Sequence, residues 1–308
     1  MPVHSKWQSL PTEAINPDTL ALDKLAPSDI VDHMLHEDRK MLAAVQREKD
    51  RIAVGIDILA QALRHSGRIV FVGAGTSGRL GVLESSEMPP TFGTKAELVQ
   101  AIMAGGKNAM LTPREGVDDN YEEGARSINR LRPGKRDVVI GVSASGVTQF
   151  VRGALTRARR AGSKIIFITC DPRTELQMFV DLTIAPAVGP EVIAGSTRLK
   201  AATATKIILN MLTTGAMVRI GKTYGNLMVD LQATNAKLRD RGERIVMEVL
   251  GVDRRAAREA VQQAGGAVRT AIVMLHDGLT RDGAEARLAE VDRRLRAIVG
   301  PPPPVIDA

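Results

Sequence analysis

Twice in this chain a short apolar segment runs directly into a turn of glycine and hydroxyl side chains. The first turn, Gly73–Gly78, follows Arg68–Val72, and the second, Ser143–Thr148, follows Asp137–Val142. Each pattern is typical of a strand that leads into a helix N-terminus, where backbone N–H groups are unpaired and the peptide dipoles end positively. Hydroxyl groups add further donors. The sequence therefore predicts two anion sites, and two that converge on one ligand indicate a phosphate.

Short apolar segments alternate with helical segments through the middle of the chain. The predicted strands are Arg68–Val72, Leu98–Met103, Asp137–Val142, Lys164–Thr169 and Asp181–Ala185. Most are continuously apolar, which is typical of strands covered on both faces. The predicted fold class is therefore α/β, a doubly wound, parallel, five-stranded sheet, and ligands should bind at the carboxyl ends of its strands.

The sequence predicts that the chain is divided into four parts. Residues 1–66 are expected to form an N-terminal arm and one long helix from residue 28 to 65. Residues 67–240 are the α/β domain, which ends with a long apolar helix over about 197–220. Short helical segments with glycine breaks predict a small all-helical domain over 241–300, and the proline-rich residues 301–308 an extended tail.

Composition limits the class of protein and of partner. The chain has 308 residues, of which 44% are hydrophobic and 25% charged, as in a soluble globular protein. Aromatic residues make up only 3%, which disfavours a surface that stacks nucleic-acid bases, and the net charge of +7 suits an anionic substrate. We therefore expect no nucleic-acid partner.

Cysteine content and hydropathy suggest the compartment. Cys170 is the only cysteine and follows a predicted strand, so we expect a buried structural thiol in a reducing compartment. A signal-peptide pattern and a run of about 18 apolar residues are both lacking. A cytoplasmic protein without membrane contact is expected.

Glu87 is the first candidate for acid–base chemistry. It is predicted in the last turn of the helix that Gly78 opens, because Pro89 and Pro90 follow it. The negative end of the helix dipole and Glu84, three residues earlier, should raise the pKa of its carboxyl, as a general acid requires. On spacing alone, an ordinary surface position fits better.

Two further polar segments allow both a functional and a structural interpretation. The run Arg114–Asp119 could supply a base, although its spacing favours capping of a helix that begins near Asn120. In the loop Gly189–Lys200, Ser196 or Thr197 could cap the next helix, while Arg198 and Lys200 could reach a phosphate or simply be exposed.

Two cofactor classes are disfavoured. The glycines of the first turn satisfy G-x-G-x-x-G, but the next strand ends in Met103–Gly106 without the carboxylate that a dinucleotide ribose requires. The five histidines are scattered without metal-ligand spacing. These patterns therefore favour neither a metal site nor a bound dinucleotide.

The stretch Gly73–Gly93 closely resembles the N-acetylmuramic acid 6-phosphate etherases. Ala104–Gly106, Gly189–Lys200, Asn226–Asp230 and the opening Thr12–Pro17 are similar to that family too, so the resemblance covers nearly the whole chain. It implies a sugar-isomerase-type phosphosugar-binding domain, a small C-terminal helical domain, a homodimer, and a reaction that uses no metal or organic cofactor. It also implies cleavage of the D-lactyl ether of N-acetylmuramic acid 6-phosphate, which yields N-acetylglucosamine 6-phosphate and D-lactate in cell-wall sugar recycling.

The resemblance also assigns site residues. The family's acid glutamate falls on Glu87, and its second glutamate falls on Asp118, which is one methylene shorter, so Glu115 is an alternative. We expect the phosphate and sugar to be held by hydroxyl and cationic side chains, namely Thr76, Ser77, Ser143, Ser145, Thr148, Ser196, Arg198 and Lys200.

Two other functions fit this kind of domain. A non-catalytic sugar-phosphate sensor, similar to the glucokinase regulatory protein, would bind its ligand without turnover, and the shortened carboxylate at Asp118 favours it slightly. An aldose–ketose phosphosugar isomerase would interconvert sugars. Release of lactate separates the etherase from both.

Overall fold

The computed structural model describes residues 7–231 and 235–303, so residues 304–308 of the predicted tail lie outside the described part. The chain forms two compact units. The first holds the described residues up to Ser86 together with Ala96–Ala216, and the second holds Glu87–Lys95 and the described residues from Met217 onward.

The first unit is built on a parallel sheet. Its strands are β1 (Ile69–Gly73), β2 (Val99–Met103), β3 (Val138–Val142), β4 (Lys164–Ile168) and β5 (Leu182–Ile184). All neighbours pair in parallel in the order β2-β1-β3-β4-β5, which confirms the predicted five-stranded sheet. The winding reverses between β1 and β3, and such a switch point opens a crevice at the carboxyl ends of these two strands.

The central strands are buried on both faces of the sheet, which is why they are continuously apolar. β1 and β3 are buried along their whole length. Val70, Val72, Val139 and Phe167 pack in one core cluster with Phe150 and other helix residues. The core therefore fixes the strand ends from which the two hydroxyl-rich turns emerge.

Helices flank the sheet, and one of them differs from prediction. The helices up to residue 219 are α1 (Pro27–Arg47), α2 (Lys49–Arg64), α3 (Gly75–Phe92), α4 (Tyr121–Arg130), α5 (Gln149–Arg160) and α6 (Lys200–Arg219). The single helix predicted over residues 28–65 is broken at Glu48, whose carboxylate accepts a hydrogen bond from Ala185 N–H at 3.0 Å. The break in a helical pattern that is continuous in sequence thus coincides with a long-range contact.

The second unit is helical. Beyond residue 235 it contains α7 (Ala236–Leu250), α8 (Arg254–Gln263), α9 (Val268–Asp277), α10 (Arg281–Glu290) and α11 (Arg296–Val299). Its core includes Tyr224, Val229 and Leu231 as well as the faces of these helices, which is why the unit begins before the start at 241 that the sequence suggested. Within residues 7–231 and 235–303, no helix is both long and apolar enough to cross a bilayer.

Candidate active site

The first turn connects β1 to α3, and its first and last residues, Gly73 and Gly78, lie very close together. A Cβ atom on Gly73 would lie 2.7 Å from the backbone nitrogen of Gly78, so this tight passage requires glycine. α3 begins at Gly75, three residues earlier than predicted. Thr76 and Ser77 therefore belong to its first turn, where backbone N–H groups have no helical acceptor.

The second turn is ordered by its own hydroxyl groups. Ser143 Oγ and Thr148 Oγ1 lie 2.8 Å apart, and Gly146 N–H donates to Ser143 Oγ at 3.2 Å. Thr148 is the residue that precedes α5, and its side chain makes no capping hydrogen bond to that helix. Of the first N–H groups of α5, that of Phe150 donates to the backbone carbonyl of Asp118, whereas those of Gln149 and Val151 have no helical acceptor beside the hydroxyls.

These two turns line one cavity of about 320 Å³ within the first unit. Because β1 and β3 are adjacent, their carboxyl ends bring both helix N-termini to the same place. The polar side chains that line it come from the two turns, the loop after β2, the N-terminal arm and the loop before α6: Thr76, Ser77, Ser143, Ser145, Thr148, Arg114, Asp118, Glu13 and Thr197. All five hydroxyl residues predicted in the two turns are among them.

Asp118 lines the cavity and does not cap a helix. The cap of α4 is Asn120, whose side chain accepts a hydrogen bond from Glu123 N–H at 2.9 Å, so the capping prediction for the acidic run was wrong. The backbone carbonyl of Asp118 accepts from Phe150 N–H at 2.9 Å, which ties this loop to the start of α5. Glu115 is exposed and does not line the cavity in the described chain.

Sequence reasoning missed the N-terminal arm as part of the site. Thr19 Oγ1 donates to the carbonyl of Val192 at 2.9 Å, and Asn16 Nδ2 donates to the carbonyl of Pro190 at 3.4 Å. Gly195 N–H donates to the carbonyl of Thr12 at 3.1 Å, and these contacts bring Glu13 to the cavity. The opening Thr12–Pro17, which is similar to the start of the etherase family, is the part of the sequence that could have indicated this contribution.

The loop before α6 is arranged differently from prediction. Lys200 is 1% exposed, and its ammonium group pairs with the buried carboxylate of Glu37. The N–H groups of Lys200 and Ala201 donate to the Glu191 carboxylate, both at 2.9 Å, so Glu191 caps α6. Lys200 therefore cannot offer its charge to a phosphate in the cavity.

The other two residues predicted from this loop also lie elsewhere. Ser196 and Arg198 are not among the described residues that line the cavity, and Arg198 is exposed. Thr197, their neighbour, lines the cavity instead.

Burial and charge act in opposite directions on the two carboxylates of this region. Burial would raise the pKa of Glu37, but hydrogen bonds from Lys200 and Lys40 lower it overall. Burial raises the pKa of Glu191, and the two backbone N–H groups only partly oppose that effect. Glu37 therefore forms an ion pair, and Glu191 caps α6.

Glu87 lies further along α3. The helix continues through Pro89 and Pro90 to Phe92, so Glu87 is not in its last turn and the expected dipole effect does not apply. Glu87 belongs to the second compact unit, whereas the residues that line the cavity belong to the first. It is exposed and is not among the described residues that line the cavity.

Two other titratable residues named in the sequence analysis are structural. Glu84 is 4% exposed and accepts hydrogen bonds from Asn210 Nδ2 and Thr213 Oγ1. Burial and the nearby Glu191 raise the pKa of Cys170 to about 12. Cys170 is thus the buried structural thiol that we predicted, because the thiolate is the reactive form.

Two helix N-termini at the switch point of a doubly wound parallel sheet, with carboxylates nearby, define an α/β protein whose cavity has the features of a small-anion site. Residues 51–159 match the family model of the glucokinase regulatory protein N-terminal SIS domain. Among solved structures, the chain is similar to a phosphoheptose isomerase from Francisella tularensis, with 18% identity, a TM-score of 0.47 and coverage of 64% of this chain and 97% of that one.

Relatives that match nearly the whole chain indicate a particular family. The chain is 46% identical to the N-acetylmuramic acid 6-phosphate etherase of Nostoc punctiforme, with 94% of each chain covered. It is 48% identical to that of Symbiobacterium thermophilum, over 88% of this chain and 90% of the relative. The chain belongs to the N-acetylmuramic acid 6-phosphate etherase family.

Proposed function

We propose that this protein cleaves the D-lactyl ether of N-acetylmuramic acid 6-phosphate and releases N-acetylglucosamine 6-phosphate and D-lactate. Relatives that share nearly half of its residues over almost the whole chain bear the etherase name. The observation that carries the proposal is the single cavity in which two helix N-termini meet the Asp118 carboxylate. We place the reaction in the cytoplasm, in the recycling of cell-wall amino sugars.

The phosphate of the substrate binds between the two turns. A monoester dianion accepts hydrogen bonds from the free N–H groups at the starts of α3 and α5. Thr76 and Ser77 on one turn, and Ser143, Ser145 and Thr148 on the other, add hydroxyl donors. The sugar then extends toward the walls that carry Asp118 and Glu13, which accept hydrogen bonds from its hydroxyl or amide groups.

The chemistry is an elimination followed by a hydration. Opening of the sugar ring gives an aldehyde at C1, which acidifies the proton at C2. A carboxylate removes that proton, the C–H electron pair forms a C2–C3 double bond, and the C3–O bond breaks. The departing oxygen takes a proton from a protonated carboxyl, and water then adds across the double bond. Two carboxyl groups in opposite protonation states suffice for these transfers.

We assign the base to Asp118 and the acid to Glu87 of a second copy of the chain. Asp118 lines the cavity of the first unit, whereas Glu87 belongs to the second unit, is exposed and is not among the described residues that line this cavity. A symmetric dimer provides two such sites, each with Asp118 from one subunit and Glu87 from the other.

The decisive experiment is incubation of the protein with N-acetylmuramic acid 6-phosphate in water enriched in oxygen-18. We expect release of D-lactate and heavy oxygen at C3 of the product sugar, because water replaces the lactyl oxygen there. Lactate that carries the label, or absence of lactate, would contradict the proposal.

A sugar-phosphate sensor is the second candidate, and one observation favours it. Residues 51–159 match a domain of a regulatory protein. A sensor would bind N-acetylmuramic acid 6-phosphate in calorimetry and leave it intact in the same incubation.

A further inference from the structure

We propose that Arg114 binds the carboxylate of the lactyl group and holds the leaving group beside Asp118. This inference rests on the proposed function, because the lactyl group is the part of the substrate that the product sugar lacks. It adds a specificity-determining residue to the etherase site.

Arg114 is the only cation among the described residues that line the cavity. Arg114 is exposed, and the ion pairs that the structure describes in the neighbouring stretch join other residues, such as Arg126 to Glu123. The nearby Arg79 is different, because its guanidinium donates to the carbonyls of Ala109 at 2.8 Å and Met110 at 2.9 Å. Arg79 stabilises the backbone after β2, whereas the charge of Arg114 remains available to a ligand.

The backbone brings Arg114 close to the cavity. A Cβ atom on Gly105 would lie 3.5 Å from Arg114 Cδ and 3.5 Å from Val117 Cγ1, so the aliphatic part of Arg114 packs over this glycine. Gly105 has a φ of 78°, which favours glycine. Asp118 follows four residues after Arg114 in the same loop and lines the same cavity.

The negative charges of the substrate and of the cavity favour a cation at the position of Arg114. The substrate carries a phosphate at C6 and a carboxylate on the lactyl group at C3, and the cavity already contains the carboxylates of Glu13 and Asp118. Helix N-termini and hydroxyls satisfy the phosphate, so the lactyl carboxylate would meet only like charge without Arg114. A guanidinium can bind a carboxylate through two parallel hydrogen bonds, which fixes orientation as well as position.

Anchoring the carboxylate also orients the bond to be cut. In the lactyl group one carbon atom separates the carboxylate from the ether oxygen. When Arg114 holds the carboxylate, the ether oxygen stays near the loop that carries Asp118. The ion pair involves no bond that breaks, so it persists while the C3–O bond is cleaved.

The test compares ligands with and without the carboxylate. The protein and its Arg114→Gln and Arg114→Lys variants are assayed with N-acetylmuramic acid 6-phosphate and with the same sugar whose lactyl carboxylate is converted to an amide. Binding of N-acetylglucosamine 6-phosphate is measured by calorimetry. The matched control is Arg126→Gln, which removes one positive charge from the exposed face of α4.

We expect Arg114→Gln to lower kcat/KM for the natural substrate by about 10- to 100-fold, the range of a lost charged hydrogen bond. Its turnover of the amide, and its affinity for the product, should stay within about threefold of the unmodified protein. Arg114→Lys should recover part of the loss because it keeps the charge, and Arg126→Gln should behave like the unmodified protein.

Three outcomes would overturn the inference. If Arg114→Gln weakens product binding as much as substrate turnover, Arg114 binds the phosphate. If it slows the amide and the natural substrate equally, it does not bind the carboxylate. If it leaves both unchanged, it has no role. Failure of the unmodified protein to release lactate would refute the etherase function itself, and that result is read before any variant is compared.

Discussion

At the scale of single residues, Asp118 and Glu115 are two carboxylates of one loop in different surroundings. Asp118 lines the cavity and Glu115 does not. A carboxyl group that transfers a proton must lie within hydrogen-bond reach of the reacting atoms. Position in the fold therefore supports Asp118 rather than Glu115 as the proposed base, a choice that the sequence alone left open.

Replacement of Asp118 by Asn should lower kcat by about 100-fold or more, because the amide cannot accept the C2 proton. Glu115→Gln is the matched control and should retain the activity of the unmodified protein. Lactate release measured at saturating substrate compares the two. The reverse order of effects would assign the base to Glu115.

At the scale of elements, an ion pair joins the starts of β1 and β3. The carboxylate of Asp137 accepts hydrogen bonds from Arg68 N–H at 2.9 Å, from Arg68 Nη2 at 2.7 Å and from Gly134 N–H at 3.0 Å. Burial would raise the pKa of Asp137, but these hydrogen bonds together lower it. The contact stabilises the pairing of the two strands that carry the site at their other ends.

Because the pKa of Asp137 is lower in the folded state, its contribution to stability is present above the ordinary pKa of about 4 and is lost as the pH falls through the folded value. Asp137→Asn should therefore lower the free energy of unfolding by about 1–3 kcal/mol at pH 7. The difference from the unmodified protein should shrink in acid.

Urea unfolding between pH 7 and pH 3 measures this difference, with the exposed Asp119→Asn as the control. A difference that stays constant over this pH range would show that the Asp137 carboxylate does not stabilise the fold by its charge.

The N-terminal arm is an element whose position depends on a few buried polar contacts. Asn16 is 4% exposed and bonds both the carbonyl of Pro190 and the N–H of Asp18. Its side chain therefore stabilises the arm against the loop that precedes α6, and with it the position of Glu13.

Replacement of Asn16 by Ala should lower kcat/KM by about tenfold, as expected for loss of about 1–1.5 kcal/mol of hydrogen bonding. Limited proteolysis should also cut the arm sooner. Leu20→Ala, on the same arm and 72% exposed, serves as control and should change neither property. Unaltered turnover together with faster cleavage would mean that the arm has no part in the site.

At the scale of the whole molecule, the proposed site needs two copies of the chain. Glu87→Gln and Asp118→Asn should each lower lactate release by about 100-fold or more while sugar-phosphate binding persists. In a heterodimer of the two variants, one site combines an intact Asp118 with an intact Glu87 from the partner, and the other site has neither.

Co-expression of the two variants with different tags allows the heterodimer to be purified. We expect about half the activity of the unmodified dimer, because one of two sites is intact. If Glu87 acts within its own subunit, each site retains one defect and the heterodimer stays inactive.

Local pattern by itself determined the sheet and the two hydroxyl-rich turns. A buried parallel strand is continuously apolar, and a strand-to-helix turn as tight as Gly73–Gly78 needs glycine. Each of these features depends on a few consecutive residues and can therefore be recognised in the sequence. Neighbouring hydroxyls such as Ser143 and Thr148 were found for the same reason. The order of the strands, which brings the two turns together, is not a local property.

Only the tertiary structure decided which charged groups reach the cavity. Lys200 and Glu37 are separated by 163 positions and pair in the interior, which removes a cation that the sequence placed at the phosphate. Asn16 and Pro190, 174 positions apart, help to bring Glu13 into the site. A charged side chain has favourable partners at many distances along the chain, so its surroundings are fixed only when packing determines which of them is near.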